Sequence, residues 1–116
     1  MATSDGVIVS TTPIDDGVIV VPSGDVDFSR SPTLRAELMQ EMENQNPSRL
    51  VIDLFQVDYM DSSGVATLVE TMRYQRKHGR KLVLCNMQPK VKSIFQIARL
   101  DLVFTICDST ESAVQA

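Results

Sequence analysis

LVIDLFQVDYMDSSGVATLVETM, residues 50–72, carries the pattern from which the architecture follows. Its first five residues form a short apolar run broken only by Asp53 and bounded by polar positions, which suits a strand buried on both faces. From Val65 the pattern turns helical: Val65, Leu68, Val69 and Met72 fall at i, i+3, i+4 and i+7 and make one stripe. Between strand and helix stands Asp61-Ser62-Ser63-Gly64, and Asp and Ser are leading N-cap residues. A buried strand that runs through a polar loop into an amphipathic helix is the first half of a parallel crossover unit.

The same unit recurs downstream. Gly79 offers a C-terminal cap to the helix, KLVLCN (81–86) reads as the next strand, and QPKVKSIFQIARL (88–100) starts on Pro89 with Val91, Ile94, Phe95 and Ala98 on one face. LVFTIC (102–107) reads as a last strand, followed by a short helix from Ser109 or Thr110 to about Val114. Upstream, VIVST (7–11) and GVIVVPSG (17–24) are β-branched runs around TPIDDG, so they read as an antiparallel hairpin. FSRSPTLRAELMQEMENQ then places Leu34, Leu38, Met39 and Met42 on one helical face. Pro32 sits just inside its start, Ser29 and Ser31 are candidate caps, and the end falls near Asn44 to Asn46. The order is β-β-α-β-α-β-α-β-α, which predicts a single α/β domain over residues 1–116. It has a mixed sheet of about five strands, an N-terminal antiparallel hairpin beside a parallel core, and about four helices.

Composition narrows the function. The chain has 116 residues, 43% hydrophobic and 22% charged, the profile of a globular domain with a sizeable core. Cys85 and Cys107 both lie inside apolar runs and read as free thiols, which implies a reducing, cytoplasmic setting. No signal-peptide pattern or bilayer-length apolar stretch is present, so neither export nor membrane insertion is expected. A net charge of −4 argues against nucleic acid as a partner. The one basic cluster, Arg73, Arg76, Lys77, Arg80 and Lys81, falls where a helix C-terminus favours cations.

Catalytic chemistry finds little support. The only histidine, His78, lies at the far end of the helix that Ser62 begins, on the order of 20 Å away at about 1.5 Å per residue. A Ser-His-Asp arrangement is therefore not expected. Glycines in a P-loop pattern are absent, and no metal-ligand spacing or cofactor motif stands out. The pairs Asp15/Asp16, Asp25/Asp27 and Asp58/Asp61 mostly occupy turns, where Asp bonds its own backbone. A receiver-type phosphoacceptor site at Asp53 is excluded by the tight link between the first two strands, because a parallel connection needs a dozen residues or more. What remains is Asp61-Ser62-Ser63-Gly64. One cap residue suffices for a helix start, so a second serine leaves a hydroxyl free at a helix tip, where the backbone tolerates a phosphate.

The stretch VIDLFQVDYMDSSGVATLVE resembles the signature of the STAS domain, and specifically of bacterial anti-sigma factor antagonists. The similarity extends to Gly24-Asp25-Val26-Asp27 and to NMQPKVKSIFQIARLDLVFTICDSTESA, and so to nearly the whole chain. The resemblance implies a non-enzymatic partner switch. Unphosphorylated, such a protein binds an anti-sigma factor that is also a serine kinase; the kinase phosphorylates the serine after the motif aspartate, here Ser62, and a PP2C-type phosphatase reverses this. The implied partner surface comprises Asp25, Asp27, Asp58, Asp61, Ser62, Ser63, Gly64 and Val65, on a protein that alone is a monomer or weak dimer. Ala66 departs from a second glycine common in the family and bears on partner choice. Relatives that serve as scaffolds or transporter subunits give the alternative role.

Overall fold

The computed structural model describes residues 6–116. Its elements in chain order are β1 (Ile8–Ile14), β2 (Gly17–Pro22), β3 (Asp25–Val26), α1 (Ser31–Gln45), β4 (Arg49–Asp53), β5 (Tyr59–Met60), α2 (Ser62–Lys77), β6 (Lys81–Cys85), α3 (Pro89–Ile97), a 3-10 turn (Leu100–Leu102), β7 (Thr105–Cys107) and α4 (Thr110–Ala113). Five strands form one mixed sheet in the order β1-β2-β4-β6-β7. β1 pairs antiparallel with β2, and the β2-β4, β4-β6 and β6-β7 ladders are parallel. The predicted fold class therefore stands.

Leu50, Val51 and Ile52 of the central strand β4 are all fully buried, because the strand is covered on both faces. On one face Leu34, Leu38 and Met42 of α1, Leu68 and Met72 of α2, and Val91 and Phe95 of α3 close over Val18, Val20, Leu50, Ile52, Leu82 and Leu84. The other face holds a smaller cluster of Val51, Val83, Cys85 and Ala113, covered by the short helix α4. Arg49 ties that side together: its guanidinium pairs with Asp16 at 2.8 Å and donates to the carbonyls of Val114 and Ala116.

Several boundaries differ from the sequence reading. β1 runs on through Thr12 and Pro13 to Ile14, so the hairpin turn is Asp15-Asp16 alone. Proline is tolerated there because β1 is an edge strand and needs no donor on its outer side. β7 is shorter than LVFTIC because Arg99 adopts a left-handed conformation, φ 60°, and throws the chain into the 3-10 turn first. Ser29 and Ser31 do not cap α1. Arg30 is its N-cap residue and makes no side-chain cap bond, while the Asp27 carboxylate accepts from the amides of Ser29 and Arg30 and the Asp27 carbonyl from the amides of Arg30 and Ser31. Asp27 thus holds the amides of Ser29, Arg30 and Ser31 that lead into the helix, while those of Thr33 and Leu34 bond the Arg30 carbonyl. Gly79 follows the end of α2 with φ 69°, the left-handed conformation that glycine adopts without cost.

The inner face of α2 is also more polar than its apolar stripe suggests. Thr67, Thr71 and Gln75 are buried beside Leu68 and Met72, whereas Val65 and Val69 are only half-buried. The hydroxyls satisfy themselves locally, Thr67 on the Ser63 carbonyl and Thr71 on the Thr67 carbonyl. The Gln75 amide bridges to the carbonyls of Pro47 and Lys81, which lead into β4 and β6.

Candidate functional site

Two short strands decide where the polar residues meet. β3 and β5 form a separate two-stranded parallel ribbon, with Asp25 opposite Tyr59 and Val26 opposite Met60. The ribbon draws the Gly24–Phe28 turn onto the loop that enters α2. Backbone bonds extend it at both ends, Gly24 N–H to the Gln56 carbonyl at 2.9 Å and Asp61 N–H to the Val26 carbonyl at 3.3 Å. Gly24 has φ 86°, and a Cβ there would meet the Arg30 guanidinium at 2.6 Å. That guanidinium donates to the carbonyls of Asp25 and, at 2.9 Å, Ser23, so Arg30 clamps the turn. Nothing in the spacing of the sequence singles Arg30 out for this.

Asp61 is the hinge of the arrangement. It is the N-cap of α2 in extended conformation, and one carboxylate oxygen accepts from the amides of Ser63 at 2.9 Å and Gly64 at 3.3 Å and from the Ser63 hydroxyl. Its other oxygen accepts from the Phe28 amide at 2.9 Å, across from the Gly24–Phe28 turn. One side chain thus caps the helix and locks the two acidic loops together. Ser62 and Ser63 are thereby distinguished. The Ser63 hydroxyl is held by Asp61, whereas Ser62 is exposed and its hydroxyl makes no hydrogen bond among the described residues. A group attached at Ser62 meets the positive end of the helix dipole, but the amides of Ser63 and Gly64 are already occupied by Asp61.

Of the residues expected to form one surface, Asp25, Asp27, Asp61, Ser62 and Ser63 are brought to this edge. Asp58 is exposed on the same loop and receives the Gln88 amide at 3.4 Å. Gly64 is buried and Val65 half-buried against the core, so these two shape the helix tip from below instead of offering side chains outward. A Cβ on Gly64 would stand 2.7 Å from the Val26 carbonyl oxygen and 2.6 Å from Met60 Cγ. The motif glycine is therefore what lets α2 sit on the ribbon. Reading the sequence for polar chemistry missed the aromatics around this edge: Phe28 is 82% exposed and Tyr59 50% exposed. A phenylalanine set between Asp27 and Ser29, in a turn with no apolar period, was the available signal.

The Ser29 hydroxyl holds the Asp27 carboxyl below the usual carboxylate range, with help from the Arg30 and Ser29 amides and against the nearby Asp61 charge. The Ser63 hydroxyl does the same for Asp61, helped by the amides of Gly64, Ser63 and Phe28. Both groups have folded pKa values below their unfolded ones, near 3.9. Their contribution is thus complete above that pH and is lost as pH falls through the folded values. Thermal melts should be flat from pH 7 to about 5 and fall below about 4. Asp61→Asn should flatten that acid limb; an unchanged limb would show that Asp61 does not contribute to it.

Among the described residues no group of three or more His, Cys, Asp or Glu side chains is arranged to hold a metal, and no helix is long and apolar enough to cross a membrane. His78 bonds the Tyr74 carbonyl through Nδ1 and stacks on the Tyr74 ring at 4.3 Å, at the opposite end of α2 from Ser62. Asp53 accepts from the Phe55 amide at 3.0 Å, as a strand-end residue does.

The fold and site together define a small α/β domain that presents a polar helix tip, flanked by two acidic loops, at one end of its sheet. The STAS domain family model matches residues 9–113. A candidate anti-sigma factor antagonist of Bordetella bronchiseptica, BtrV, is 30% identical over 103 residues, covering 89% of this chain and 88% of the relative. Among solved structures, a candidate anti-sigma factor antagonist from Thermotoga maritima superposes with TM-score 0.85 at 20% identity, covering 91% of each chain. The Bacillus cell fate determinant SpoIIAA, solved in a phosphorylated form, gives TM-score 0.69 at 20% identity over 91% of this chain and 96% of its own. The chain belongs to the STAS domain family.

Proposed function

We propose that this STAS domain, read as spanning residues 1–116, is a partner-switching regulator controlled by phosphorylation of Ser62. Unphosphorylated, it binds an anti-sigma factor that is also a serine kinase, and so releases the sigma factor. Phosphorylation at Ser62 dissociates the pair, and a PP2C-type phosphatase restores it. The observation that carries this reading is the contrast at the tip of α2: the Ser62 hydroxyl is exposed and unbonded, while the Ser63 hydroxyl is engaged by Asp61. The name of the Bordetella relative and the phosphorylated form of SpoIIAA support it.

The partner surface comprises Asp25, Asp27, Asp58, Asp61, Ser62 and Ser63, with Gly64 and Val65 supporting the helix tip. Phe28 and Tyr59 supply exposed aromatic area, which interfaces use as anchors. The protein acts in the cytoplasm as ligand and substrate and not as an enzyme, a reading that the name of the Bordetella relative supports.

Incubation with ATP and the cognate anti-sigma kinase tests the reading. One phosphate should be transferred, and mass spectrometry should place it on Ser62. Ser63→Ala should still accept phosphate, because Ser63 serves the helix start. Phosphate on Ser63 would sink the site assignment, and binding without any transfer would favour a non-phosphorylated scaffold or transporter-subunit role.

A further inference from the structure

Cys85 closes β6 and Cys107 closes β7, and the two are direct partners in the parallel ladder between these strands. Register partners project to the same face of a sheet. Both thiols accordingly belong to the small cluster under α4, with Val51, Val83 and Ala113. Neighbouring strands lie about 4.8 Å apart, within the roughly 4.4–6.8 Å Cα separation that a disulfide spans. Both cysteines are free thiols. They differ in access: Cys85 is fully buried, whereas Cys107 is half-buried and precedes the exposed Asp108 at the sheet edge. β7 is only three residues long and pairs on one side alone, so it can shift to bring the sulfurs together.

We propose that Cys85 and Cys107 are a reversible modification site, forming a cross-strand disulfide when the protein meets a hydroperoxide. The more accessible Cys107 sulfur attacks the peroxide O–O bond, becomes a sulfenic acid and releases water or an alcohol. The Cys85 sulfur then attacks the Cys107 sulfur and expels hydroxide, which leaves as water with the Cys85 proton. Two thiols lose two electrons and the peroxide gains them. Burial, aided by the Asp53 charge, pushes the Cys85 thiol up to about 11, so it does not react first. Its place one ladder spacing from Cys107 supplies the proximity that its low thiolate fraction does not. The bond would staple edge strand β7 to β6 beneath α4, whose Thr110 hydroxyl receives the Asn86 side chain at 3.0 Å.

The test treats the reduced protein with hydrogen peroxide, then counts thiols by alkylation under denaturing conditions and weighs the intact chain. Expected are loss of both alkylatable thiols in the monomer, a mass lower by two hydrogens, and full recovery with dithiothreitol. Cys107→Ser should leave Cys85 alkylatable after the same treatment. Phenylarsine oxide, which bridges paired thiols, should likewise protect both cysteines of the wild type from alkylation and neither remaining cysteine of a single variant. The proposal is overturned if Cys107 gains oxygen while Cys85 stays alkylatable, if the product is a disulfide-linked dimer, or if neither thiol reacts. Wild-type protein alone decides the matter should Cys107→Ser not fold.

Discussion

Phosphorylation of Ser62 is expected to weaken binding to the anti-sigma kinase by roughly 30-fold to several thousand-fold, while the domain stays folded. A phosphate brings about −1.5 to −2 charges to an edge that already carries Asp25, Asp27, Asp58 and Asp61. It gains little from the helix start, because the carboxylate of Asp61 occupies the amides of Ser63 and Gly64. The new charge therefore projects toward the partner beside an existing one. Burying it unpaired costs on the order of 2–5 kcal/mol, and about 1.4 kcal/mol is a factor of ten. Ser62→Asp, with a single charge, should fall at the lower end of that range, and Ser62→Ala should bind and resist switching. Neither should shift the melting temperature much, since Ser62 is exposed and bonds nothing among the described residues. Titration calorimetry of the three proteins against the kinase checks this, and equal affinity of wild type and Ser62→Asp would refute the switch.

Gly64→Ala is expected to cost about 1–3 kcal/mol of stability, as overpacking of a tight contact does. For a domain of this size that lowers the melting temperature by roughly 4–12 °C. The added methyl meets the Val26 carbonyl oxygen at 2.7 Å and Val26 Cγ1 at 2.9 Å, besides Met60 Cγ at 2.6 Å. Met60 Cγ belongs to a fully buried side chain, and the Val26 carbonyl also accepts the Asp61 amide, so neither gives way freely. The helix tip must then lift from the ribbon and carry Ser62 with it, so kinase-dependent phosphorylation should slow as well. Ala66→Gly serves as the control: Ala66 is exposed on the same helix, and its replacement should cost only the helix propensity, about 0.5–1 kcal/mol. A Gly64→Ala protein that melts with the wild type would show that α2 does not depend on this close approach.

The element order and the class of sheet were legible in the sequence because each rests on a pattern carried by neighbouring residues. LVIDL is apolar but for Asp53, and its Leu50, Val51, Ile52 and Leu54 end up fully buried; Leu68 and Met72 recur at helical spacing and end up in the core; Pro32 and Gly79 mark helix ends by their own backbone preferences. That α2 starts within Asp61-Ser62-Ser63-Gly64 was legible for the same reason, since capping joins residues two and three apart, but which of the three polar residues is the N-cap was not. The tertiary structure alone decided what depends on segments distant in the chain. The β3-β5 ribbon is only two residues long and has no period to read, yet it joins Asp25 to Tyr59 and so assembles the candidate site. Thr67, Thr71 and Gln75 look like surface residues until the carbonyls that receive their hydroxyl and NH2 groups are known. Which of the two serines keeps a free hydroxyl was settled by the direction of one carboxylate, which the contact with Phe28, 33 positions away, helps to fix. Local propensity acts over three or four residues, whereas that bond exists only after the two loops have been folded together.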